Sequence, residues 1–113
     1  MKRLLSFIVV GILSGSNLLA QGAPIKISTE NFYNQFYGIS YPKIHITAIE
    51  DNLQIKNVVV NKGHCALLNG NPIKNMFPKK LKYSQRVDIP LSPKCNVIRI
   101  DVLTNQGDWS VEY

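Results

Sequence analysis

The sequence predicts a small antiparallel β-sandwich of about six strands, with a short N-terminal helix or arm and one disulfide. Three observations carry this. Apolar and polar residues alternate with period two over residues 44–48, and again over 97–103 and 109–113, with Leu53, Ile55 and the Val58-Val59-Val60 run marking a further strand. Turn-forming residues punctuate the chain between those stretches, most densely at Asn69-Gly70-Asn71-Pro72. The only two cysteines, Cys65 and Cys95, fall just past one predicted strand and just before another.

Residues 1–20 read as a secretory signal peptide. Met1-Lys2-Arg3 is a basic start, residues 4–13 are an apolar run, and Leu18-Leu19-Ala20 offers a cleavage point before Gln21. The apolar run is about half of what a membrane-spanning helix needs, and no later stretch is longer, so no transmembrane segment is expected after cleavage. Gln21 stands where a lipoprotein would carry its acylated cysteine. Cleavage leaves 93 residues, a single small domain, and lowers the net charge from +6 to +4. Eleven asparagines occur without one Asn-x-Ser/Thr sequon, which favours a bacterial over a eukaryotic secreted protein. The expected location is therefore the periplasm or the medium, where a Cys65–Cys95 disulfide is permitted. Closing that loop of about 30 residues contributes roughly 3.5 kcal/mol to a domain whose size leaves little margin.

Residues 21–42 form the predicted arm. Phe32/Phe36 and Tyr33/Tyr37 are spaced i,i+4, Ser28 or Thr29 can cap a helix start, and Gly38 can end one. Two roles are open to this segment: a helical lid over one end of the core, or an exposed arm whose Phe32, Tyr33, Phe36 and Tyr37 dock into a partner.

The sandwich itself is assigned to residues 43–113. Ile44, Ile46 and Ala48 alternate with His45 and Thr47, Glu50-Asp51-Asn52 supplies a turn, and a strand follows over 53–60. So short a polar loop predicts a hairpin between these two segments. Residues 81–91 hold one or two short strands, and Pro90 marks an edge. Ile98, Ile100 and Val102 then share a face, Asn105-Gln106-Gly107 turns the chain, and Trp109, Val111 and Tyr113 alternate after it, which predicts a second hairpin. Two sheets of such strands bury their apolar faces most simply in an Ig-like arrangement, with the disulfide tying the first hairpin to the last.

Little in the chain points to catalysis. His45 and His64 are the only histidines, no Gly-x-Ser-x-Gly elbow is present, and the seven acidic residues are dispersed. Two cysteines and two histidines fall short of an ordinary zinc set, no Cys-x-x-Cys occurs, and no cofactor motif is present. The strongest surface feature is the basic stretch Lys74, Lys79, Lys80 and Lys82, with Met76, Phe77 and Tyr83 interleaved. It suits an anionic surface or an acidic protein, or it guards a sheet edge; nucleic acid is the weakest partner at so modest a charge. The ending Trp-Ser-Val-Glu-Tyr113 is similar to the terminal strand of outer-membrane barrels, but 93 residues cannot supply eight spanning strands. Pilus subunits joined by donor strands are larger and end differently.

The expected function is that of an exported, non-enzymatic binding or accessory protein of the bacterial envelope. The alternative is an inhibitor of a secreted hydrolase, lysozyme or protease, inserting the 69–80 loop with Met76, Phe77 and Pro78 at its tip.

Overall fold

The computed structural model of this chain describes residues 23–113. The expected signal peptide lies outside the described residues. Seven strands follow in order: β1 Ile25–Asn34, β2 Ile39–Ala48, β3 Leu53–Val60, β4 Lys79–Leu81, β5 Arg86–Pro90, β6 Arg99–Thr104 and β7 Gly107–Glu112. They form two antiparallel sheets, β1-β2-β5 and β4-β3-β6-β7. Lettered in order, these are sheets ABE and DCFG. Relative to a constant-type Ig domain, the fourth strand has moved from beside the fifth to beside the third.

The core lies between the sheets. Ile44, Ile46 and Ala48 of β2, with Val87 and Ile89 of β5, face Leu53, Ile55, Val58 and Val60 of β3 and Ile100 and Val102 of β6. All are nearly or fully buried. Alternation along β3 changes phase, from Leu53 and Ile55 to Val58 and Val60. A register irregularity between Ile55 and Asn57 against β6 accounts for it. The extra residue lets the strand turn both halves inward, with Val58 and Val60 in the core and Val59 half-buried on the other face.

Two expectations are corrected. Residues 25–34 are a strand, not a helix. Ile25, Ile27 and Thr29 are β-branched, and the ladder with β2 runs without interruption from Ile25↔Ala48 to Asn34↔Ile39. Phe32 and Tyr33 therefore take opposite faces of a strand and Phe36 and Tyr37 fall in the turn after it, instead of stacking along a helix, and a boundary at residue 43 cuts through β2. The turn at Glu50-Asp51-Asn52 does not make a hairpin either. Both flanks of β2 are occupied, by β1 and β5, so β3 crosses to the other sheet. Distant groups hold this crossing: Tyr83 N–H donates to Asp51 Oδ1, and the Asn105 side chain accepts from Gln54 N–H and donates to Asn52 C=O.

The second hairpin forms as expected, β6 against β7. β5, with Pro90, is an edge strand as predicted. Cys65 and Cys95 are joined, with Cα atoms 5.5 Å apart. The strands they flank, β3 and β6, are paired neighbours in one sheet.

Candidate functional site

β5 reaches along β2 only as far as Lys43. Residues 32–41 consequently continue as a two-stranded hairpin past the end of the three-stranded sheet, the described residues together measuring 49 × 28 × 23 Å. Its turn is pinned by Asn34. The side-chain Oδ1 accepts from Phe36 N–H (2.9 Å) and Tyr37 N–H (3.2 Å), and the carbonyl accepts from Gly38 N–H (2.9 Å). Gly38 closes the turn at φ 64°, in the left-handed region that glycine adopts without strain.

The predicted aromatic residues stand on this hairpin as an arm, not a lid. Phe36 is 95% exposed, Tyr37 77% and Tyr33 58%. Phe32, 40% exposed, is partly held at the base. Its ring packs at 5.5 Å against Tyr41, its partner in the ladder, and Lys43 Nζ sits 4.3 Å from its centroid. The tip backbone is thus pre-formed while three large aromatic side chains meet solvent, a geometry that lowers the ordering cost of docking.

Below Phe32 lies a charged cluster that sequence reading missed. His45 is nearly buried on the outer face of the β1-β2-β5 sheet, between two carboxylates. Its Nδ1 meets Asp88 Oδ1 of β5 at 2.6 Å and its Nε2 meets Glu30 Oε1 of β1 at 2.5 Å. Arg86 Nε lies 2.8 Å from the same Asp88 oxygen. Hydrogen bonding to Asp88, then to Glu30, raises the His45 pKa above its ordinary value, so the doubly donating imidazolium is favoured. Burial pushes Asp88 upward, but the hydrogen bonds from His45 and Arg86 outweigh it and its pKa is lowered. Ser28 lies directly across from His45 in the ladder, yet both ring nitrogens are committed to carboxylates and neither is left to take a proton from a hydroxyl. His64 is exposed beside the disulfide. Among the described residues no group of three or more His, Cys, Asp or Glu is arranged to hold a metal.

The lysine stretch forms a separate surface. Lys74 is exposed on a 3₁₀ turn spanning Ile73–Met76, Lys79 and Lys80 are exposed on β4, and Lys82 is exposed just beyond it. β4 is the edge of its sheet, so these lysines stand where unpaired strands need protection. Met76 and Phe77 are half-buried and pack against the core, which removes them from a free inserting tip. Thr29 of β1 and Tyr113 beyond β7 line one recess, placing those two strands on the same flank. β4, at the far end of the order in its sheet, lies on the opposite flank. The aromatic and lysine features therefore do not merge into one patch.

Among the described residues no helix is long and apolar enough to cross a membrane. No protein-family model matches the chain, and no curated protein or solved structure is significantly similar to it.

Proposed function

We propose that this chain is an exported, non-enzymatic binding module of the bacterial envelope, residing in the periplasm or released from it, and that the aromatic hairpin is its docking element. The observation that carries the reading is the exposure of Phe36, Tyr37 and Tyr33 on a turn whose backbone Asn34 already fixes. A folded domain rarely leaves three adjacent large aromatics in water unless something covers them, and Tyr and Phe are favoured anchors of protein interfaces. The disulfide is compatible with an oxidising compartment. The lysine-bearing flank serves as edge protection in this reading, with an anionic surface as a secondary partner.

Gentle cross-linking of whole cells, followed by purification of the tagged protein from the envelope fraction, tests this. Envelope proteins should co-purify, and Phe36→Ala combined with Tyr37→Ala should abolish their recovery without altering thermal stability. Capture that survives the double variant would move docking elsewhere. A single secreted hydrolase as the captured species, inhibited by the purified protein, would put the inhibitor reading first.

A further inference from the structure

Among the described residues the two sheets present four edges, and three are short. β4 has three residues and two exposed lysines, β5 has five with Pro90 and the charged pair Arg86 and Asp88, and β7 has six with Asp108 and Glu112. β1 differs: ten residues in unbroken register with β2, with no proline and no bulge. A long edge with unbroken register is a template for another strand.

The orientation of its free groups follows from the ladder. Ile49 N–H donates to Pro24 C=O, which makes Pro24 and Ile49 a hydrogen-bonded pair. Such pairs alternate along an antiparallel ladder, so the even-numbered residues of β1 bond to β2. Ile25, Ile27, Thr29, Asn31 and Tyr33 turn their N–H and C=O groups to the open side. A recess of about 310 Å³ runs beside them, with Thr29 and Asn31 on one wall and Val97 and Tyr113 among the others.

We propose that the occupant of this edge is β1 of a second copy, paired antiparallel about a two-fold axis at Ser28. A two-fold axis perpendicular to a sheet keeps each face continuous, so the residue numbers of facing partners must sum to an even value. Centred on Ser28, Lys26 of each copy faces Glu30 of the other. Glu30 uses Oε1 on His45, so Oε2 remains to accept the lysine. On the inner side, Ile27 and Ile25 of the second copy come opposite Thr29 and Asn31, the residues that line the recess. Centring on Glu30 instead would set Glu30 against Glu30. The product is a continuous six-stranded sheet, β5-β2-β1 joined to its symmetry mate, with a hairpin tip projecting free at either end. The pairing reaches the backbone of Tyr33, which comes opposite Ala23 of the other copy, but leaves Phe36 and Tyr37 free in the turn, so it does not depend on the docking role proposed for them.

Light scattering and sedimentation of the purified protein test the pairing by charge exchange. The wild type should dimerise with Kd on the order of 10–100 μM, since one strand pair is smaller than a full interface. In Lys26→Glu or Glu30→Lys alone, two attractive pairs become two repulsive ones, and dimerisation should weaken by about tenfold or more. An equimolar mixture of the two variants should recover a heterodimer, because both facing pairs then set one acidic side chain against one basic side chain again. Asn31→Pro provides a check if Glu30→Lys disturbs the His45 cluster: it removes an outward N–H, keeps the β2 ladder, and should yield a folded monomer. A wild type that stays monomeric at about 1 mM, a dimer unaffected by Asn31→Pro, or variants that fail to recover on mixing would each overturn the proposal.

Discussion

His45 shows how much one residue's chemistry depends on the neighbours the fold assigns it. Its alternation with Ile44 and Ile46 places it on the outer face of its strand, which the sequence makes legible. Its partners are not legible there, because Glu30 and Asp88 lie 15 and 43 residues away and Glu30 sits in a segment that resembles a helix start. The cluster makes stability depend on pH, with a defined sign. A folded-state pKa raised above 6.5 contributes stability that is fully present below that value and lost as pH rises through the folded value. Asp88, lowered from 3.8, contributes stability present above that value and lost as pH falls through the folded one. Thermal melts should therefore show Tm declining as pH rises above about 6.5, and His45→Gln should flatten that decline. At pH 6 the same variant should cost about 1 kcal/mol, a modest figure because Glu30 and Asp88 are 54% and 41% exposed and solvent screens them. Parallel slopes in wild type and variant would show that other groups govern the dependence.

At the level of elements, the periodicity of side chains was readable and the pairing of strands was not. Alternation states which face a residue takes but is silent on which strand lies beside it. That is why β6 and β7, joined by a tight turn, were evident, while the partners of β2 and β3 were not. The aromatic arm misled for a related reason: Phe32, Tyr33, Phe36 and Tyr37 fit an i,i+4 pattern, but the last two belong to a turn. Asn61 is a further element-level device with no local signal. It sits at φ 51°, a conformation asparagine tolerates better than most residues, just past the end of β3. Its Oδ1 accepts from Ile98 N–H (2.8 Å) and Arg99 N–H (3.0 Å), and its Nδ2 donates to Asn96 C=O (2.7 Å). One side chain thereby fastens the start of β6 to the end of β3. Asn61→Ala should cost about 2–3 kcal/mol by denaturant unfolding, from lost hydrogen bonds plus the left-handed backbone. Asn61→Gly, which relieves the backbone alone, should recover about 1 kcal/mol of that. Equal losses in the two variants would assign the whole effect to the side chain.

For the molecule as a whole, the disulfide closes a strand pair that is already made. The sequence places the cysteines correctly beside two strands, but not the fact that β3 and β6 are hydrogen-bonded neighbours at the centre of one sheet. Val60↔Ile100 pairing and the Asn61 bonds fix the same junction without the sulfurs. The bond should therefore act chiefly on the unfolded chain, by forbidding the separation of residues 30 apart. Cys65→Ala with Cys95→Ala should leave the far-ultraviolet spectrum of the native state unchanged and lower its stability by about 3 kcal/mol. It should also steepen the denaturant dependence, because an uncrosslinked unfolded state exposes more surface. In a domain with a total of roughly 5–15 kcal/mol, such a loss is severe without abolishing the fold. A double variant that shows no native spectrum in the absence of denaturant would mean that the bond holds the two sheets in place, beyond restricting the unfolded chain.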